Sequence, residues 1–117
     1  FAEHGAYLVI GTDHGSIQIA NPIKVIGDRA TTTNLRYKQG RNLAYNPKEV
    51  YEITNPADAY LPKTNISSTY IFSCNDDFFA YPNNYNHYVK YYKNTFQHGG
   101  ISLQEMIIPA ITMKPKI

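Results

Sequence analysis

Ala6-Tyr7-Leu8-Val9-Ile10-Gly11-Thr12-Asp13-His14-Gly15 sets a continuous apolar run directly before a glycine-flanked Asp-His pair. An unbroken apolar run of this length reads as a strand buried on both faces. Polar residues that follow such a strand emerge at its carboxyl end, where open α/β sheets place their ligands. A carboxylate oxygen and a neutral imidazole nitrogen are good donors to a borderline ion such as Zn²⁺, and flanking glycines let backbone approach closely. Asp13 and His14 therefore form a candidate metal corner, although the same residue types also suit a turn-forming Asp beside a surface His.

Outward from this corner, the far end of the chain carries Phe96-Gln97-His98-Gly99-Gly100-Ile101-Ser102-Leu103-Gln104-Glu105. Ser102 with Glu105 three residues later is a capping-box signature, which starts a short helix just after His98 and holds that histidine in a tight turn. Between the two ends, residues 16–19 and 23–26 alternate around Asn21-Pro22 and predict two short strands with a turn. Residues 29–46 are polar and basic and predict a long loop or an irregular edge strand. Residues 49–53 read as a strand, residues 56–61 as a helical turn stopped by Pro62, and residues 68–73 with 77–81 as a hairpin across Cys74-Asn75-Asp76. Residues 107–113 would return as a last strand into the core. The order predicts an α/β fold with a buried strand, β-hairpins and a short helix, amounting to the closing portion of a larger domain.

Composition narrows the function classes. A chain of 117 residues that is 43% hydrophobic can bury one modest core. Its net charge of +2 is too mild to announce nucleic-acid binding, and no apolar stretch approaches the roughly 20 residues of a membrane span. The single cysteine, Cys74, excludes an internal disulfide framework and fits a reducing cytoplasm as a small buried apolar group. Phe1-Ala2-Glu3-His4 has neither the basic start nor the apolar stretch of a signal peptide, which predicts a piece of a longer protein.

Thr12-Asp13-His14-Gly15-Ser16-Ile17, Asn21-Pro22, Gly27-Asp28, Thr32-Thr33-Asn34-Leu35-Arg36-Tyr37, Tyr81-Pro82-Asn83-Asn84-Tyr85-Asn86-His87-Tyr88 and Phe96-Gln97-His98-Gly99-Gly100-Ile101-Ser102 together resemble one family nearly end to end. That family is the PglZ-domain branch of the alkaline phosphatase superfamily, in particular the PglZ domain of PorX-like response regulators of Bacteroidetes. The resemblance implies that residues 1–117 are the carboxyl-terminal part of a PglZ domain, with a receiver domain and the start of the PglZ domain preceding them. It implies a two-metal zinc centre in which Asp13 and His14 hold one ion and His98 the other, completed by upstream residues. The nucleophile would also lie upstream. Thr31-Thr32-Thr33 comes after the metal corner, in the wrong order for that role, and is read as holding a loop.

The implied activity is a phosphodiesterase acting on linear or cyclic oligonucleotides, in a cytoplasmic protein whose receiver is controlled by a sensor kinase and which is linked in some relatives to type IX secretion. A homodimer is left open, and no membrane partner is expected. Arg29, Arg36, Lys38 and Arg41 form a basic stretch suited to substrate phosphates, the planar guanidinium matching phosphate oxygens, although a solvated loop has the same composition. His87, flanked by tyrosines, is either an accessory site residue or a packed structural one. Residues 81–96 interleave aromatics with Lys90, Lys93 and asparagines, which suits base stacking or a supporting wall. The alternative function is a non-catalytic module that keeps metal for stability and binds partner proteins.

Overall fold

The structure is a computed structural model that describes residues 1–28, 31–64 and 66–116. Its strands are β1 (Leu8–Gly11), β2 (Ile17–Gln18), β3 (Asn21–Lys24), β4 (Tyr37–Gly40), β5 (Val50–Ile53), β6 (Thr69–Ser73), β7 (Asp77–Ala80), β8 (Phe96–Gln97) and β9 (Ala110–Met113). The helices are α1 (Tyr85–Tyr92) and the single turn α2 (Leu103–Met106). Short 3-10 turns occupy Ala2–His4, Pro47–Glu49 and Pro56–Ala59, the last where a helical turn is expected from the sequence. The strands form small sheets: antiparallel β1-β9 and β2-β8, parallel β3-β7, and antiparallel β4-β6-β5 with β6 in the centre. This is the mixed α/β class expected from the sequence.

β7 organises the core because its consecutive residues Phe78 and Phe79 point to opposite faces and both are buried. Phe78 packs with Ile17 and Ile19, backed by Leu35, Val89 and Tyr92. Phe79 packs with Ile23, Val25 and Ile71, backed by Leu43, Tyr45 and Val50. The alternation of Ile17 with Ile19 and of Ile23 with Val25 therefore puts four β-branched side chains inward, one stripe to each cluster.

Several expectations change. Asn21-Pro22 is not a turn: both residues lie in β3, where proline is tolerated because β3 pairs on one side only. Residues 68–73 and 77–81 do contain two strands, but these do not pair as a hairpin. The Leu35 and Arg36 carbonyls accept from Phe79 N (2.8 Å) and Ser73 N (3.0 Å), so a distant segment takes the hydrogen bonds that hairpin partners would share. Residues 29–46 contribute an edge strand, β4, as expected of the more ordered alternative. Cys74 is half-buried in the turn before β7, and Tyr85–Tyr92 form a helix that the sequence reading leaves as an aromatic wall.

The largest departure is β1. Its expected double burial is absent, for Val9 is 70% exposed, and every residue of its partner β9 is exposed as well. Two strands without a third or a covering helix cannot bury either face. The described residues span 60 × 35 × 24 Å with a radius of gyration of 18.5 Å, against about 13 Å for a compact chain of this length. An uncovered ribbon is the expected companion of that elongation.

Candidate metal and phosphoester site

Two ladders bring the ends of the chain together. Gly11 pairs with Ala110 at the end of β1-β9, and Ile17 pairs with Gln97 in β2-β8, so residues 12–16 and 98–109 bulge out between the ladders facing one another. His14 and His98 meet there, their rings stacked with centroids 3.6 Å apart and an interplanar angle of 14°. Each imidazole offers its nitrogen lone pairs in its own ring plane. Face-to-face rings do not present those lone pairs to a common point, which suits two histidines serving different ions.

His14 Nδ1 lies 2.6 Å from the Gly15 carbonyl, which can only accept, so in the neutral ring Nδ1 carries the proton and Nε2 is the nitrogen with the lone pair. Nε2 stands 3.6 Å from Asp13 Oδ1, beyond hydrogen-bond range. Two donors each about 2.0–2.2 Å from a tetrahedral zinc stand roughly 3.4 Å apart. The spacing and the backbone-held tautomer both fit a shared ion. Asp13 is 90% exposed at its side chain, and among the described residues no group of three His, Cys, Asp or Glu side chains converges as a metal-binding set. The donor set on this chain is thus a fitting pair with a neighbouring imidazole.

Both histidine turns are anchored by a buried frame. Gly15 N donates to the Glu105 carbonyl at 2.8 Å, and a Cβ on Gly15 would come within 1.9 Å of the Gln104 carbonyl oxygen, so only glycine allows this crossing. Glu105 completes the expected capping box, accepting from Ser102 Oγ (2.7 Å) and Ser102 N (3.1 Å), and its other oxygen accepts from Gly100 N (3.0 Å). Arg36 then grips both carboxylate oxygens, Nε to Oε1 at 2.8 Å and Nη2 to Oε2 at 2.9 Å. Burial alone would push the Glu105 carboxyl up, but the bonds from Arg36, Ser102 and the two backbone N–H groups outweigh it and hold it at about 2. Asn34 ties the frame to the histidine: its Nδ2 donates to the His98 carbonyl (3.1 Å), and its Oδ1 accepts from Arg36 N (2.7 Å) and Tyr37 N (3.2 Å).

The chain matches the family described as the BREX system PglZ alkaline phosphatase-like domain over residues 1–113. It belongs to the PglZ family. No individually characterised protein matches it. Membership of this alkaline-phosphatase-like family points to phosphoester chemistry, and the PglZ chain folds its Asp-His corner against His98.

The structure places the members of the basic stretch in different settings. Arg36 is 0% exposed and spends its guanidinium on Glu105 and the Asp77 carbonyl, so it braces the PglZ fold. Lys38 is also buried, its Nζ donating to the Thr32 carbonyl at 3.0 Å. Arg41 alone of the described members is exposed; Arg29 lies outside the described residues. Arg36, Lys38 and Arg41 therefore present no common basic surface. Thr31 and Thr32 do hold a loop, through Asp28 and the Gln39 backbone. His87 sits exposed on α1 with ring contacts to Tyr88 and Tyr91, and no contact brings it to His14 or His98. Sequence reasoning missed Asn34 and the bracing role of Arg36, because their partners lie more than sixty positions away.

Proposed function

We propose that this PglZ chain contributes part of the centre of a zinc-dependent phosphodiesterase, with linear or cyclic oligonucleotides as substrates. The observation that carries the reading is the meeting of His14 with His98 beside Asp13, each held by backbone or by the Arg36–Glu105 frame. Asp13 and His14 Nε2 would hold one ion and His98 the other, with further ligands and the nucleophile supplied from outside these residues. Two divalent ions supply Lewis acidity to the phosphoryl oxygens and the attacking group in such a centre. The Gly15 carbonyl keeps His14 in the tautomer a ligand needs, and Asn34 keeps the His98 turn at the pair. The wider setting is a cytoplasmic PorX-like response regulator whose receiver is acted on by a sensor kinase; it rests on the motif resemblance.

The test is metal content and hydrolysis of a phosphodiester and an oligonucleotide by the full-length protein carrying Asp13→Asn, His14→Ala or His98→Ala. Each variant is expected to lose bound metal and at least a hundredfold in turnover while unfolding at the parent temperature. Wild-type metal content and turnover in any one of them removes that residue from the centre. The high exposure of Asp13 favours a second reading, a non-catalytic metal-stabilised interaction module. Metal loss without any parent hydrolytic activity to lose would select it.

A further inference from the structure

A cavity of about 410 Å³ lies between β4, the carboxyl end of β7 and α1, apart from the paired histidines. Lys38 enters it from β4, Tyr81, Asn83 and Asn84 from the turn after β7, and Tyr88 and Tyr92 from α1. The Lys38 side chain is nearly sealed from solvent, with the residue 2% exposed. Its ammonium donates to the Thr32 carbonyl and lies 5.0 Å from the centre of the Tyr81 ring. Among the described residues no carboxylate forms an ion pair with it. A buried cation without an opposite charge is costly, and an incoming anion would remove that cost.

The remaining walls describe what carries the anion. Tyr88 and Tyr92 stand one helical turn apart with near-parallel rings, centroids 6.3 Å apart at 18°, and both line the cavity, which supplies aromatic surface for a flat group. The amides of Asn83 and Asn84 offer both donors and acceptors beside those faces. The volume falls within the roughly 300–1,000 Å³ range of small-molecule sites. We propose that this cavity binds a planar ring bearing a negative group, with Lys38 Nζ meeting the charge, Tyr88 and Tyr92 stacking on the ring, and Asn83 and Asn84 hydrogen-bonding its edge. Nucleoside monophosphates and aromatic carboxylates share that chemistry. Burial lowers Lys38 to about 8, so the amine is still mostly charged at neutral pH and ready to pair.

Calorimetric titration of the full chain with adenosine monophosphate, adenosine and benzoate tests the assignment. At least one of the two anions should bind, and Lys38→Met should weaken that anion at least tenfold while changing adenosine less than twofold. Tyr88→Ala, at a side chain already 45% exposed in the parent residue, should weaken every ring ligand at least threefold without unfolding the chain. Lys48→Met, which removes an exposed cation outside the cavity lining, should leave all affinities within twofold. Tighter binding of the monophosphate would assign the nucleotide source, and tighter binding of benzoate the carboxylate. The assignment is overturned if neither anion binds, if Lys38→Met leaves anion affinity unchanged, or if Lys48→Met costs as much as Lys38→Met.

Discussion

Arg36 and Glu105 form a two-point ion pair that is 0% and 1% exposed at the side chains, joining the entrance of β4 to the helix that follows the His98 turn. A bidentate guanidinium fixes orientation as well as distance, and Glu105 uses its remaining capacity on the cap of α2. The pair therefore sets where the His98 turn sits relative to β4.

Breaking it from one side leaves a buried charge. Arg36→Met is expected to lower stability by about 3–5 kcal/mol, and Arg36→Lys by less, since a lysine keeps the charge but loses the fork. Urea unfolding followed by far-UV circular dichroism measures both. A parent-like midpoint for Arg36→Met would show that the pair braces nothing.

Acid should reveal the same pair. Glu105 is held at about 2 against an ordinary 4.5. Between those values the unfolded chain binds more protons than the folded one, so stability rises with pH there. Its contribution is complete above about pH 4.5 and is lost as pH falls toward 2, about 3 kcal/mol in all. Unfolding free energies for the parent and Glu105→Gln from pH 2 to pH 6 should diverge as pH rises; parallel curves would refute the assignment.

In alkali the buried Lys38 and the half-buried Tyr45 act in opposite directions. Lys38 is lowered by burial to about 8 from 10.5, so the unfolded chain again holds more protons between those values, and stability rises as the buried ammonium discharges. Tyr45 is raised to about 12 by burial and by its hydrogen bond to Glu52, so the folded chain retains a proton that the unfolded chain sheds above pH 10, and stability falls. A stability maximum near pH 10 is expected, and Lys38→Met should flatten its rising limb. A monotonic decline from pH 8 in the parent chain contradicts this.

Gly15 marks the tightest backbone crossing of the site. Gly15→Ala must displace the Gln104 carbonyl, while a Cβ on Gly11 meets nothing closer than the Pro109 carbonyl oxygen at 3.7 Å. Overpacking of this kind costs about 1–3 kcal/mol. Thermal unfolding should therefore separate Gly15→Ala from Gly11→Ala by several degrees, with the former lower, and equal melting temperatures would argue against the crossing.

Local signals in the sequence carried through to the structure, and long-range ones did not. The capping box of Ser102 and Glu105 is legible because its whole geometry spans four residues. The Ile17/Ile19 and Ile23/Val25 stripes are legible because alternation is a property of the strand itself. The helix over Tyr85–Tyr92 was available in the spacing of Tyr85, Tyr88, Val89 and Tyr92, but tyrosines and asparagines weaken helix propensity and hid it. The apolar run ending at Ile10 reads as interior because composition reports what a face could bury, whereas covering it takes other elements. Arg36 was indistinguishable from a phosphate-binding arginine, since a fork that fits phosphate fits a carboxylate equally well. Only the fold brings Glu105 to it.

The pairing of His14 with His98 also sets an order of events during synthesis. The hydrophobic clusters draw on residues from Ile17 to Tyr92, all of which leave the ribosome before His98 does. The second imidazole of the pair is thus the last of these residues to be added, joining a chain whose cluster residues are already all in place in the sequence. Closing the β2-β8 ladder then ties together one of the longest loops in the molecule, a step that topology makes slow. The fold thus separates a core complete by Tyr92 from a site complete only at His98, so a chain ending between them would hold every residue of both clusters and lack the paired histidines.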